Sequence, residues 1–171
     1  MANFGAFKST IQNYLEGKGA GSEQEAANFF SAECATIINT ATNSLITSEA
    51  PTPPGFCSGE FLDAFNSIKD NGGNTAANWL PVATAWGTAI ASKAYVANPA
   101  AAVAEMSTGG MTGVPAAGQL LAQAFASGGD SGKSASEVAS KFRDAIETCC
   151  GLAVGTHTTP AMTVTPITGL S

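Results

Sequence analysis

The feature that most limits how this chain can fold is its shortage of charged residues. Only 12% of the 171 residues are Asp, Glu, Lys or Arg, and we count 32 alanines, whereas ordinary soluble domains are about a quarter charged. A surface so poor in charge is difficult to keep monomeric. The composition therefore indicates an alanine-rich helical protein. It also indicates that neighbouring subunits cover much of the surface, unless the protein works where solubility matters little.

The sign and placement of the charges restrict the kinds of partner. The chain carries 13 acidic and 7 basic residues, a net charge of −6. Because the basic residues are scattered and nucleic-acid grooves need clustered Lys and Arg, we expect no nucleic acid partner. The chain lacks a run of about 18 apolar residues, so we expect no membrane partner. Residues 1–4 do not follow a signal-peptide pattern, which favours a product that stays in the cytoplasm.

The four cysteines are expected to be free. They are Cys34, Cys57, Cys149 and Cys150, and the chain has one histidine and no C-x-x-C pair, so a zinc site is not expected. Adjacent Cys149 and Cys150 are poorly placed to bond each other. In a reducing compartment all four are expected to be buried as small hydrophobic residues.

Two capping boxes mark helix starts. Ser22-Glu23-Gln24-Glu25 precedes an apolar stripe of 3.6-residue period, which predicts a long helix over 22–47. Its expected buried stripe includes Phe29, Phe30, Ile37 and Ile38. Ser134-Ala135-Ser136-Glu137 starts the last helix, which Gly151 closes.

The remaining helices follow from apolar spacing and breakers. A first helix runs from Phe4 to Leu15, and Ser58 can cap a third helix. Asn74 or Asn78 opens the fourth, and we favour Asn78 as the cap because Pro81 then falls in the first turn. Residues 100–106 allow a short helix, and a fifth covers about 115–126. We expect an all-α fold, an irregular alanine-rich bundle of five to six helices over 1–151.

Residues 152–171 differ in kind from the rest of the chain. They contain no Asp, Glu, Lys or Arg, and Met162-Thr163-Val164-Thr165 alternates in polarity. We expect an extended C-terminal tail with strand character, confined to a sheet edge by Pro160 and Pro166. Such a tail either docks on another chain or packs across its own bundle.

No motif predicts catalysis, a cofactor or a bound metal. The segment Gly132-Lys133-Ser134 matches the end of a phosphate loop, but the position of the first glycine is Ser127 and a helix precedes the loop. The Gly-Asp-Ser-Gly pattern of serine proteases fits at 129–132 only locally. We expect no nucleotide binding, and we expect His157 at the surface or in an interface.

Large apolar side chains are the interface candidates. Trp79 and Trp86, seven residues apart, share one helical face, which is usually core and otherwise an interface anchor. The full candidate set is Trp79, Trp86, Val154, Met162, Val164, Ile167 and Leu170.

The layout of the chain resembles small virion structural proteins of tailed bacteriophages. The features are a short first helix ending Tyr14-Leu15, the segment from Ser22 to Phe29 that opens a long helix, a proline-rich connector at 51–54, a late amphipathic helix at 136–150 and a Gly/Thr/Pro-rich apolar tail. The resemblance implies a non-enzymatic structural subunit, made in the host cytoplasm and assembled into a virion. Its partners would be other structural proteins and copies of itself. The alternative is a helical binding module for a small molecule or peptide near Trp79 and Trp86, and a less favoured one is an enzyme with an unrecognised site.

Overall fold

The computed structural model describes residues 2–17, 21–71, 74–97, 103–125 and 134–171. The described residues form six α-helices and five short strands, so the chain is mainly helical but not all-α as expected. The helices are α1 Phe4–Glu16, α2 Glu23–Thr40, α3 Ser58–Asn71, α4 Ala76–Ser92, α5 Gly113–Ala124 and α6 Ala135–Gly151. The strands are β1 Ile46–Ser48, β2 Tyr95–Ala97, β3 Val103–Thr108, β4 Ala153–Thr158 and β5 Val164–Thr168.

The strands form two antiparallel sheets, and the C-terminal tail makes most of the larger one. β1 pairs with β2, and the second sheet has the order β3-β4-β5. The tail at 152–171 therefore forms a hairpin, β4 and β5, that pairs with β3 of its own chain. β5 is an edge strand that contains Pro166, which is where a residue without an N–H is tolerated.

Both predicted capping boxes form, although in α2 one of the two hydrogen bonds involves the residue before the cap. In α6, the Glu137 N–H donates to the Ser134 hydroxyl, and the Ser134 N–H donates to the Glu137 carboxylate at 2.8 Å. In α2, the Glu25 N–H donates to the Ser22 hydroxyl, but the Glu25 carboxylate accepts from the Gly21 N–H. The predicted start of α2 is thus correct, and its second capping bond reaches one residue further out.

The predicted end of α2 is wrong, because the helix stops at Thr40 and not near residue 47. Ala41 has an extended backbone, and the Asn43 side chain then accepts from the N–H groups of Leu45 and Ile46 at 2.8 and 3.2 Å. Asn competes with the helix through such local hydrogen bonds. The turn delivers Ile46, which is fully buried, into β1.

Two further helix predictions are corrected. α4 begins at Ala76 with Thr75 as its cap, so Pro81 lies inside the helix rather than in a first turn capped by Asn78. A short helix was expected over residues 100–106, but residues 103–108 form β3. Pairing with β4 provides hydrogen-bond partners for their backbone and buries Met106. Residues 100–102 lie outside the described part of the chain.

One hydrophobic core joins the helices, and aromatic rings occupy its centre. Phe30 and Phe142 lie 5.0 Å apart between ring centroids, and Trp86 lies 5.9 Å from Phe142. Trp79 stacks on Phe125 at 4.7 Å. Both tryptophans are fully buried, so their shared face is core, and neither ring is available to a partner at the surface.

Candidate functional site

A groove of about 900 Å³ lies on the outer side of α4. The segment 50–56 forms its opposite wall, and we call this cavity the connector groove. The α4 residues that line it recur every three or four positions, so they share one face of the helix. The principal lining residues are Leu80, Pro81, Thr84, Ala85, Thr88, Ala89, Pro51, Pro53 and Phe56. Its charged lining residues are Glu60 and Lys93.

Hydrogen bonds from α2 and from the residue that follows α4 hold the connector wall in place. The Thr52 N–H donates to Oδ1 of Asn39 at 2.6 Å, and Nδ2 of Asn39 donates to the Thr52 carbonyl at 3.1 Å. The Lys93 ammonium donates to Asn39 Oδ1 at 2.6 Å and also to the Ala50 carbonyl. The groove is therefore shaped before anything enters it.

Lys93 is an unusual residue for this position, because its side chain is largely removed from water. It is 9% exposed, and none of the ion pairs found among the described residues includes it. Burial lowers the pKa of Lys93 from its ordinary value. A buried ammonium needs hydrogen-bond acceptors, and the Asn39 amide and the Ala50 carbonyl provide them.

We expect Asn39→Ala to loosen the connector. The variant loses both hydrogen bonds to Thr52 and one of the acceptors of the Lys93 ammonium. Leaving buried polar groups unpaired costs about 1–3 kcal/mol, which urea unfolding would measure, and limited proteolysis should cleave faster within 50–56. Asn28→Ala on the exposed side of the same helix is the matched control. Equal stability of the two variants would contradict this role for Asn39.

Around the groove, the surface of the molecule is almost without charge. α4, α5 and the strands β3, β4 and β5 together carry one formal charge, Glu105. These elements contact one another, α5 with α4, α4 with β3, and β3 with β4. By contrast, each of α1, α2, α3 and α6 carries at least two charged residues. We call the solvent-facing sides of α4, α5 and the β3-β4-β5 sheet the neutral surface.

The outer face of the three-stranded sheet is the apolar part of the neutral surface. Cross-strand pairing places its side chains in three rows. The rows are Val103–Thr158–Val164, Glu105–Thr156–Pro166 and Ser107–Val154–Thr168. Val103, Val154 and Val164 are 49%, 39% and 60% exposed. Of the nine side chains, one is charged, and the valines and threonines form a flat patch.

The hairpin turn between β4 and β5 projects an apolar side chain. The Thr159 N–H donates to the Thr163 carbonyl and the Met162 N–H donates to the Thr159 carbonyl, both at 2.9 Å, which closes the turn over 159–163. Met162 is 78% exposed and has a φ of 61°. Positive φ is uncommon for a residue other than glycine. We call residues 159–163 the hairpin tip.

The seven interface candidates thus divide into two groups. Val154, Met162 and Val164 are exposed on the sheet and the hairpin tip. The other four are buried inside their own chain, namely Trp79, Trp86, Ile167 and Leu170. Sequence inspection missed the connector groove, although the charge-free sequence of α4 was a signal for it, since a partly exposed helix normally carries charges on its outer face.

His157 is not at the surface, which corrects the expectation for it. The alternation of β4 places it on the inner face with Ala153, and it is buried. Ala104 and Thr165 are its neighbours across the sheet. Neither ring nitrogen has a hydrogen-bond partner in the described part of the structure. A buried imidazole in this position contributes packing.

The four cysteines are free and buried, as predicted. Burial raises the pKa of Cys57 and that of Cys149 to about 12, and it raises the pKa values of Cys34 and Cys150 as well. Since the thiolate is the reactive form, we expect no thiol of the folded chain to react with Ellman's reagent within minutes at neutral pH. Four thiols per chain should react after denaturation. Rapid reaction of any thiol in the native protein would contradict the burial of that residue.

The described ranges hold neither a metal-ion cluster nor a membrane-spanning helix. Those residues contain no group of three or more His, Cys, Asp or Glu side chains placed to hold a metal ion. None of the helices there combines the length and the apolar character that crossing a bilayer requires.

The glycine-rich segment before α6, including Lys133, lies outside the described residues. Lys133→Ala is still expected to leave stability and assembly nearly unchanged, with no ATP or GTP binding to lose.

The groove, the neutral surface and the hairpin tip are therefore the features from which a function has to be inferred. Comparison with protein-family models, with curated proteins and with solved structures finds no match to this chain.

Proposed function

We propose that this protein is a non-enzymatic structural subunit of a large assembly, which it joins through its neutral surface. The layout resemblance suggests the virion of a tailed bacteriophage as that assembly. The observation that carries the proposal is the separation of charge, since five contiguous elements carry only Glu105. The partners are other structural proteins and further copies of the chain.

Electrostatics favours contact through this surface. Two copies with a net charge of −6 repel each other, and burying a charged side chain without a partner costs several kcal/mol. The fully buried parts of protein interfaces are accordingly depleted of charged residues. A surface that presents valine, threonine and alanine can be covered without burying an unpaired charge.

The proposal is tested by placing charge on the neutral surface. Sedimentation velocity over a range of concentrations should show the wild-type chain associating. Val154→Lys on the sheet and Gln119→Lys on α5 should weaken that association, because both side chains are exposed there. Gln24→Lys on the exposed side of α2 is the matched control and should have little effect. A wild-type chain that stays monomeric at its highest soluble concentration would contradict the proposal.

A binding module is the second candidate, and the connector groove is the observation that favours it. Its volume lies within the range of ligand sites, roughly 300–1,000 Å³, and most of its lining is apolar or hydroxylic. The expected position beside Trp79 and Trp86 is not available, because both rings are buried on the other side of α4. Purification with a bound small molecule, detected by native mass spectrometry, would favour this candidate over assembly.

A further inference from the structure

We infer that the hairpin tip of one copy docks into the connector groove of a second copy. The inference rests on the proposed function and specifies a contact by which copies of the chain associate. It joins two features that otherwise have no role in the folded chain, an exposed apolar projection and an apolar recess.

The hairpin tip has the properties of an inserting element. Met162 places a long apolar side chain in water, and it does so from a left-handed backbone conformation. Such a conformation is unfavourable for a residue other than glycine and occurs preferentially at functional sites. Pro160 and Ala161 beside it are also exposed and uncharged. Methionine adapts its shape readily to apolar recesses.

The connector groove has the properties of a receptor for such an element. It follows α4, whose 17 residues correspond to a length of about 25 Å. Its floor is made of small side chains such as Ala85 and Ala89, which allow a neighbouring backbone to approach closely. Its outer wall is held by Asn39 and Lys93, so little ordering is needed when the groove is filled.

The charges of the two surfaces are compatible with this pairing. The hairpin tip and the strands beside it carry no formal charge. In the groove, the Lys93 ammonium is already directed at the Asn39 and Ala50 oxygens. Glu60 is the other charged lining residue. A second copy therefore brings no additional carboxylate to the groove when its tip enters.

The contact is heterologous, because it joins different patches of the two copies. In each bound pair one copy still offers a free groove and the other a free tip, so the contact generates a ring or an open filament. A tip of five residues buries much less than the roughly 800 Å² per partner of a standard interface. We therefore expect weak association of isolated chains and strong association only where the contact is repeated in an assembly.

The test is a cross-link between two singly substituted chains. One chain carries Met162→Cys and the other carries Thr88→Cys, an exposed position in the groove. After mixing at high concentration and adding a short bis-maleimide, cross-linked pairs should form. The control pairs Met162→Cys with Thr36→Cys on the exposed side of α2. We expect about tenfold more product from the groove pair, because docking raises the effective concentration of the two thiols.

A second measurement keeps the test independent of the added cysteines. Met162→Asp should weaken association about tenfold, because it replaces the apolar side chain that enters the groove with a carboxylate that binding would dehydrate. Met162→Leu should preserve it. Equal cross-linking of the groove and control pairs, with association that survives Met162→Asp, would overturn this inference and leave the proposed function standing. A wild-type chain that is monomeric at every concentration would overturn both.

Discussion

Ile38→Asp is expected to unfold the chain. Ile38 is fully buried in the last turn of α2, within the core that also contains Phe30 and Phe142. An uncompensated buried charge costs about 3–5 kcal/mol, and loss of the apolar side chain adds a cavity cost. Together these approach the whole stability of a typical domain, about 5–15 kcal/mol. Circular dichroism and thermal melting would measure the effect.

Thr36→Asp is the matched control for that experiment. Thr36 lies two residues away on the exposed side of the same helix, where its hydroxyl donates to the Ala32 carbonyl. Because an exposed carboxylate stays hydrated, the change should alter stability by about 0.5 kcal/mol or less. If Ile38→Asp melted within a few degrees of wild type, the α2 face assigned to the core would have to be exposed.

Gly155→Ala is expected to have the second largest effect, because it pushes β3 away from β4. A methyl group at Gly155 would lie 2.2 Å from the Glu105 carbonyl oxygen and 2.9 Å from the Met106 Cα. Backbone atoms of a paired strand cannot move aside without breaking the ladder. The cost should reach about 3 kcal/mol, the upper end of ordinary overpacking. Urea unfolding measures it, and hydrogen exchange should show faster exchange of the β3 and β4 amides.

Gly59→Ala is the control for this glycine. Gly59 lies in the first turn of α3, and no atom lies within 4 Å of the Cβ that alanine would add. Alanine is favoured over glycine inside a helix by about 1 kcal/mol, so this variant should be neutral or slightly stabilised. A Gly155→Ala variant as stable as Gly59→Ala would mean that β3 does not pair with β4 at this register.

Predictions that depended on local chemistry were the more accurate ones. The starts of α2 and α6 follow from Ser22 and Ser134, because a cap joins groups three residues apart. Ser58 is not the expected cap of α3, since it is the first residue of that helix and its hydroxyl donates to the Gly55 carbonyl. The burial of the cysteines was likewise expected from residue type. By contrast, the end of α2 depended on whether the helix continues or the Asn43 turn forms. Burial of Ile46 in β1 favours the turn.

The candidate site was only partly predictable for a related reason. Exposure of Val154 and Val164 follows from strand alternation once the strands are paired, and Met162 is exposed in the turn between them. The pairing itself, however, joins β4 to a segment some 50 residues earlier. The connector groove requires residues 50–56, Asn39 and Lys93 to meet, and no local pattern brings three such separate segments together. His157 was misassigned because its threonine neighbours suggest exposure, whereas its register in β4 turns it inward.

By itself, the sequence determined the helical character, the capped helix starts, the free thiols and a surface poor in charge, since propensities, caps and composition act within a few residues. Only the tertiary structure decided that 103–108 becomes a strand, that the tail folds back as β4 and β5, and that Trp79 and Trp86 face the core. Strand hydrogen bonds and core contacts form between segments that lie far apart in the chain. The energy they contribute therefore depends on which segment packs against which, and a segment's own residues do not specify its partner.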